Sequence, residues 1–266
     1  FVGSEGTLGL ITEATLKLVP VPQIMSAALA AFETVEAAVE TVVAVRGSGL
    51  DPAALELIDA AHARMLREAE GVDLTDHPTL FMEFHAAHED SLQMGLDMVR
   101  EICQELGAIR FRATTDPVER KKLWHARHSS YEIMVRSHPD KHFFINDVAV
   151  PISAYPQLIG YVQQLKREHG ITAYMVGHAG DGNVHVEFPY VDEAEYQRRL
   201  EINGLIVQKA LELGGTATGE HGVGIGKAKY MAAEHGPALD VMRAIKQTLD
   251  PHGILNPGKL FPEAVE

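Results

Sequence analysis

Two histidines flank a glycine-rich turn in the segment His178-Ala-Gly-Asp-Gly-Asn-Val-His185. Strand-like runs, 172–176 and 184–188, lie on either side of it. This pattern predicts a β-hairpin, because Gly, Asp and Asn adopt the positive φ angles of tight turns. The strand ends of a hairpin lie close together, so both imidazoles could bind one cation such as zinc, manganese or iron. The alternative is a hairpin with two incidental histidines, since the chain contains 14.

A second glycine-rich segment, 218–227, contains Glu220 next to His221. Such a pair could supply one carboxylate ligand and one base, because adjacent residues of an extended segment point in opposite directions. The glycines do not form a phosphate loop, which would need Gly at the position of His221 and Ser or Thr at Ala228. They also lack the βαβ frame of a dinucleotide site. The alternative is a glycine-rich turn that caps a helix.

A third candidate is Arg127, which lies on a predicted helix three residues after the only tryptophan, Trp124. Arginine is the natural bidentate partner of a carboxylate, so Arg127 could bind a carboxylate substrate. The alternative is a solvated helix residue, with Trp124 in the core. Asp147, in a predicted strand at 143–150, is a further polar candidate.

Composition excludes several classes of protein. The chain has 266 residues, enough for a sizeable core, and a formal net charge of −14 with no basic stripe, which argues against a nucleic-acid partner. The single cysteine, Cys103, excludes an internal disulfide framework and a cysteine-rich zinc module. No apolar run approaches the roughly 20 residues that span a bilayer.

Alternating strand-like and helix-like runs predict an α+β fold, with an antiparallel or mixed sheet and helices on one face. A parallel topology stays open, because element order alone does not set strand direction. A short strand over 10–18, ended by Pro20, is predicted before these runs. A more helical segment is predicted after them, with a capping pair at Asp192 and Glu195 and a helix at 237–249. The other predicted strands are 25–32, 54–58, 79–85, 110–113, 143–150, 172–176 and 184–188, and the predicted helices before residue 190 are 35–46, 60–70, 89–106, 117–136 and 154–169.

Taken together, the motifs resemble the C-terminal part of FAD-dependent 2-hydroxy-acid dehydrogenases of the vanillyl-alcohol-oxidase superfamily. The segments that carry the resemblance, in order, are 4–15, 178–185, 219–224 and 249–259. Two further segments, 146–153 and 176–183, are most similar to the D-lactate dehydrogenase (cytochrome) branch. The glycolate oxidase D subunit and D-2-hydroxyglutarate dehydrogenase are near relatives of that branch.

The resemblance implies a division of the chain into three parts. Residues 1–22 would be the last element of an FAD-binding domain that precedes this sequence in such proteins and carries most of the flavin contacts. Residues 23–215 would form the substrate or cap domain, with a ferredoxin-like antiparallel sheet. Residues 216–266 would be a C-terminal helical segment that returns to the flavin site.

The resemblance also implies roles for individual residues. His178, His185 and Glu220 would bind a divalent metal, zinc or manganese. His221 would be the base that removes the proton of the substrate hydroxyl, and Arg127 would hold the substrate carboxylate. The residues that would approach the flavin are Ser4, Glu5, Gly6, Thr7, Asn256 and Lys259.

The implied activity is the FAD- and metal-dependent oxidation of a D-2-hydroxy acid to the 2-keto acid, with the isolated chain inactive. D-2-hydroxyglutarate dehydrogenases have a lysine in the strand at Ile145 and an asparagine at Glu187, so this sequence favours a monocarboxylate, D-lactate. Electrons would pass to a cytochrome, a quinone or an electron-transfer flavoprotein. The expected location is the cytoplasm, or a membrane surface to which the protein binds loosely. A homodimer is one possible oligomeric state.

Other functions remain open at this point. Within the same family, the activity could be that of a glycolate oxidase or a D-2-hydroxyglutarate dehydrogenase. A metal-dependent hydrolase could use the same His/His/Glu site with bound water as its nucleophile, and it would need no flavin. A non-catalytic fragment that folds around a metal is the last alternative.

Overall fold

The computed structural model describes residues 1–261, and within them seven strands form one antiparallel sheet. The strand order across the sheet is β4-β1-β3-β2-β6-β7-β5. Every neighbouring pair is antiparallel, so the antiparallel alternative of the prediction is confirmed. The strands are β1 Ile24–Phe32, β2 Ala54–Ile58, β3 Thr79–Ala86, β4 Ala108–Thr114, β5 His142–Ala149, β6 Tyr174–Gly177 and β7 Asn183–Tyr190.

Helices connect most of these strands, and four of them begin at a side chain that caps the first turn. Thr34, Asp59, Asp116 and Asp192 each accept a hydrogen bond from a backbone N–H three residues later. The predicted helix over 117–136 is two helices, because the backbone leaves the helical conformation at Ser129. The helices are α1 Val35–Gly47, α2 Ala60–Glu70, α3 Glu89–Glu105, α4 Pro117–His128, α5 Ser130–Ser137, α6 Tyr155–Glu168, α7 Glu193–Glu212, α8 Met231–His235 and α9 Ala238–Leu249.

The first half of the sheet has the predicted ferredoxin-like arrangement. Helix α1 crosses from β1 to β2, and α3 crosses from β3 to β4. These strands lie in the order β4-β1-β3-β2. Strands β6, β7 and β5 extend the sheet from β2, so the sheet is wider than one ferredoxin-like unit.

The two faces of the sheet are covered unequally. Helices α1, α3, α6 and α7 cover one face over the larger apolar core, but the other face also carries helices, where the sequence predicted them on one face only. On the other face, a smaller layer of α2, α4 and α5 packs on a second apolar cluster. Because side chains alternate along a strand, the polar residues between the core positions of β2, β5 and β7 point to this second face.

The predicted strand over 10–18 is not formed. Leu10, Leu16 and Leu18 are 75% to 85% exposed, and the backbone of this segment pairs with no other strand within residues 1–261. The alternation of apolar residues is therefore that of a strand, but a strand also needs a neighbouring backbone to bond with. The helix predicted at 237–249 is confirmed as α9. No helix in the described part of the chain is both long and apolar enough to cross a bilayer.

Candidate functional site

The glycine-rich turn joins β6 to β7, as the sequence predicts. Val176 of β6 pairs with His185 of β7, and His178 follows the end of β6 directly. Gly182 has a φ of 71°, and a side chain there would overlap the backbone of Val150, so only glycine fits this turn. The rings of His178 and His185 are consequently 5.6 Å apart, centroid to centroid.

Glu220 approaches both histidines from the second glycine-rich segment. Its Oε1 atom lies 3.2 Å from Nε2 of His178 and 3.3 Å from Nε2 of His185. The two imidazole nitrogens and the carboxylate oxygen thus converge on one place. This donor set is one that zinc and manganese accept, and three protein ligands leave coordination positions open for a substrate. The residues present therefore fit a divalent cation.

A carboxylate also lies close to the second ring nitrogen of each histidine. Nδ1 of His178 is 2.9 Å from Oε1 of Glu56, and Nδ1 of His185 is 3.4 Å from Oδ1 of Asp147. Carboxylates in this position fix the tautomer and the orientation of metal-binding histidines. The hydrogen bond to Glu56 raises the pKa of His178. Burial opposes the ionisation of Glu56, but His178 and Arg127 outweigh it and lower the pKa of Glu56.

A second group of donors, Asp147, His185 and His221, also lies within metal-binding distance. Asp147 is less suited to a metal, because its carboxylate already accepts hydrogen bonds from Asn183 and from the backbone N–H groups of Glu220 and His221. Burial opposes its ionisation, but His185, the backbone N–H of His221 and the Asn183 amide outweigh burial and hold the pKa of Asp147 well below its usual range. The group of His178, His185 and Glu220 is therefore the better metal site.

His221 lies beside the three converging side chains. Its ring stacks on the ring of His185 at 4.8 Å with an interplanar angle of 9°. Its Nε2 atom is 3.9 Å from Oε1 of Glu220, and 45% of its side chain is exposed. His221 can thus meet a molecule that arrives from solvent at this place, which a general base must do.

Arg127 is buried rather than solvated. Its Nη2 donates a hydrogen bond of 2.6 Å to Oε2 of Glu56, the same carboxylate that contacts His178. Its Nε atom is also buried and has no hydrogen-bond partner within the residues described. Arg127 therefore joins the site through Glu56, a contact that the sequence did not indicate.

We expect Arg127→Met to lower the free energy of unfolding of this chain by about 3 kcal/mol, because Glu56 would stay buried without its cation. Urea unfolding followed by circular dichroism measures this change. The double variant Glu56→Gln/Arg127→Met is the control, and we expect it to lose less stability since no unpaired charge remains. A fully stable Arg127→Met protein would show that the Glu56–Arg127 pair does not hold the fold.

Three of the six residues predicted to approach the flavin line a cleft of about 500 Å³, which also includes Glu220. Several of their polar groups are bonded within the chain. The carboxylate of Glu5 accepts the N–H groups of Val223 and Gly224, the hydroxyl of Thr7 donates to the carbonyl of Ser4, and Asn256 donates to the carbonyl of Glu5. Ser4, Glu5 and Thr7 line the cleft directly, and Gly6 lies next to Asn256. Lys259 is half-buried in the same C-terminal segment.

A buried ionic group that the sequence did not indicate lies on the same face of the sheet. His62 of α2 is fully buried, with Nε2 3.0 Å from Glu187 and Nδ1 3.5 Å from Asp59. Burial disfavours the charged ring, but the two carboxylates outweigh it and raise the pKa of His62 to about 9. Glu56 was also missed. The sequence does contain an indication of its role, because Glu56 is the single charged residue in the apolar strand Ala-Leu-Glu-Leu-Ile. The alternation of side chains along a strand places Glu56 on the face of the sheet that Leu55 and Leu57 do not occupy.

Comparison with known proteins gives matches along nearly the whole chain. The D-lactate dehydrogenase [cytochrome] of Arabidopsis thaliana, mitochondrial, is 38% identical over 99% of this chain and 47% of its own length. A probable mitochondrial D-lactate dehydrogenase of Danio rerio is 36% identical over 98% of this chain and 53% of its own. The glycolate oxidase subunit GlcD of Bacillus subtilis is 34% identical over 98% of this chain and 56% of its own length. The chain thus spans about half the length of the curated relatives it matches.

Solved structures show the same fold. The 4-ethylphenol oxidase from Gulosibacter chungangensis matches with a TM-score of 0.70 at 18% identity, over 94% of this chain and 56% of that one. p-Cresol methylhydroxylase matches with a TM-score of 0.64 at 14% identity, over 91% of this chain and 53% of that one. A model of the family described as "FAD linked oxidases, C-terminal domain" matches residues 21–260. Since that match covers most of the sequence, the chain belongs to the C-terminal domain family of the FAD linked oxidases.

Proposed function

We propose that this chain is the metal- and substrate-binding half of an FAD-dependent dehydrogenase that oxidises a D-2-hydroxy acid to the 2-keto acid, with D-lactate as the preferred substrate. The observation that carries the proposal is the convergence of two imidazoles on the Glu220 carboxylate, with His221 alongside. A 2-hydroxy acid offers a hydroxyl and a carboxylate that can enter such a site together.

The reaction removes the hydroxyl proton and a hydride from the adjacent carbon. An aliphatic hydroxyl is a very poor acid, so the chain needs a way to favour its ionisation. His178, His185 and Glu220 would hold a zinc or manganese ion, which lowers the pKa of a hydroxyl bound to it. FAD, when bound, supplies the hydride acceptor.

His221 is the proposed base. Its Nε2 atom lies near Glu220, on the solvent-accessible side of the site, and it would accept the hydroxyl proton there. Stacking against His185 holds the plane of the ring, so the proton acceptor keeps one orientation. A histidine suits this task because its ordinary pKa is close to neutral.

Arg127 would be the cation that binds the substrate carboxylate. Only one of its terminal nitrogens bonds to Glu56, and its buried Nε has no acceptor in the described part of the chain. An arginine in this state can still donate to a carboxylate. The pair with Glu56 would then keep the guanidinium in place before substrate arrives.

Two cross-strand neighbours support the choice of substrate class. Ile145 of β5 pairs with Glu187 of β7, and the Glu187 carboxylate is engaged by His62. An apolar side chain and a carboxylate provide no positive charge for a second substrate carboxylate. This arrangement, together with the names of the relatives, supports a monocarboxylate such as D-lactate over D-2-hydroxyglutarate. Glycolate is the second candidate, because a glycolate oxidase subunit is among the relatives.

We also propose how the chain is divided around the flavin site and which partners it has. Residues 1–22 would be the last element of the FAD-binding domain, 23–215 the substrate domain, and 216–266 the segment that returns to the flavin. The cleft beside Glu220 supports this division, since both outer segments line it. A cytochrome, a quinone or an electron-transfer flavoprotein would accept the electrons. The enzyme would be a homodimer in the cytoplasm or loosely bound to a membrane surface.

The test uses the full-length enzyme with FAD and an artificial electron acceptor. We expect D-lactate to give a higher kcat/KM than glycolate and D-2-hydroxyglutarate, and a chelator to abolish the activity until zinc or manganese is returned. Oxidation of none of the three acids would contradict the proposal. Hydrolytic activity without flavin would favour the metal-dependent hydrolase instead.

A further inference from the structure

The loop that carries Glu220 and His221 is held between two carboxylates. On one side, Oδ2 of Asp147 accepts the N–H groups of Glu220 and His221, each at 3.0 Å. On the other side, the carboxylate of Glu5 accepts the N–H groups of Val223 and Gly224, at 2.6 and 2.8 Å. Four N–H groups within five residues therefore bond to two carboxylates from distant parts of the chain.

Asp147 is built into the sheet beneath this loop. Its side chain is fully buried in β5, and it also accepts a hydrogen bond from Asn183 and lies 3.5 Å from Nζ of Lys227. The same Nζ donates to the backbone carbonyl of Asp147 at 2.7 Å. A Cβ on Gly219 would overlap both Asp147 and Asn183, so the loop reaches the carboxylate only because this position is glycine.

Glu5 reaches the loop from the N-terminal segment. It is a non-glycine residue with a φ of 51°, a conformation that costs free energy for an L side chain. Its backbone carbonyl accepts a hydrogen bond of 2.5 Å from Asn256. The strained backbone and this bond together place the Glu5 carboxylate against Val223 and Gly224.

We propose that Asp147 and Glu5 are positioning residues that set Glu220 and His221 in their working geometry before metal or substrate binds. Gly219, Gly222 and Gly224 give this loop a large conformational entropy, so an unrestrained loop would present Glu220 in many places. Fixing it in advance removes that cost from the binding step. The inference rests on the proposed function, because it assigns Glu220 to the metal and His221 to the base.

We expect Asp147 to influence the geometry of the site more strongly than Glu5 does. Asp147 bonds to the N–H groups of both functional residues and also lies behind His185, so it acts on two proposed ligands and the base. Glu5 acts only on the far end of the loop. Glu5 also makes the loop depend on the N-terminal segment, which links the flavin side of the proposed enzyme to its base.

The test compares Asp147→Asn and Glu5→Gln with Asp192→Asn in this chain. Asp192 is the control, because its carboxylate also accepts a backbone N–H, that of Glu195, but it follows the end of β7 that is remote from His185. Two readouts are used. Calorimetric titration with zinc gives the metal affinity, and hydrogen exchange of the amides of residues 220–224 in the metal-free protein reports the order of the loop.

We expect zinc affinity to fall 10- to 100-fold in Asp147→Asn, in the range typical of groups that orient metal ligands, and by less in Glu5→Gln. The loop amides exchange faster in both variants, whereas Asp192→Asn keeps the affinity and the exchange rates of the wild type. Unchanged exchange and affinity in Asp147→Asn would overturn the inference, as would an equal loss in Asp192→Asn. If the wild-type chain binds no zinc, the proposed metal site fails, and the exchange rates alone still decide whether Asp147 and Glu5 order the loop.

Discussion

His221→Ala lowers kcat for D-lactate by about 10²- to 10⁴-fold in the full-length, flavin-loaded enzyme, which is the usual contribution of a general base. The ring of His221 lies next to the proposed metal ligands, and its Nε2 is 3.9 Å from Glu220. Without it, water would have to accept the hydroxyl proton. Because His221 is not one of the three converging ligands, we expect metal content to stay close to that of the wild type.

Steady-state kinetics with an artificial acceptor measures this effect, with the pH dependence of kcat as a second readout. The control is His169→Ala, since His169 is an exposed histidine at the end of α6, in the helical layer on the opposite face of the sheet. We expect that variant to turn over normally. Wild-type turnover by the His221→Ala enzyme would rule out His221 as the base.

The second large effect concerns the metal. The wild-type chain purified with zinc or manganese is expected to hold nearly one ion per molecule, and His178→Ala/His185→Ala to hold almost none. The double variant removes two of three converging donors, so we expect an affinity loss well above the 10- to 100-fold typical of the groups behind such ligands. Elemental analysis after dialysis measures the metal content.

His85→Ala/His169→Ala is the matched control, because it removes two histidines that lie outside the converging group. Circular dichroism shows whether each protein is folded. Equal metal content in the wild type and in His178→Ala/His185→Ala would refute the site. A metal-free wild-type chain calls for the same measurement on the full-length enzyme, where a metal-free result would contradict the metal-dependent mechanism.

Local patterns account for most of the secondary structure and for part of the site. The strand at 54–58 and the helix at 60–70 have the predicted bounds, because apolar periodicity and the cap at Asp59 are properties of neighbouring residues. The approach of His178 to His185 follows from the hairpin, whose glycines and asparagine specify a tight turn.

Contacts between distant residues could not be predicted in the same way. Glu56 is 122 residues from His178 and 71 from Arg127, and Glu5 is 218 residues from Val223. No local periodicity encodes such pairs, since they exist only once the sheet brings β2 beside β6 and the termini together. The segment over 10–18 shows the converse, because it has the pattern of a strand but no backbone partner in the described residues.

The available chemistry can be read from the amino-acid sequence alone: two histidines on one hairpin, a Glu-His pair between glycines, and apolar patterns typical of alternating strands and helices. Which of these groups act together depends on the tertiary fold. It placed the carboxylates of Glu56 and Asp147 behind the two histidines and drew Glu220 onto their free nitrogens. Side-chain type and turn geometry are local properties, whereas burial and charge pairing depend on the packing of segments far apart in the chain.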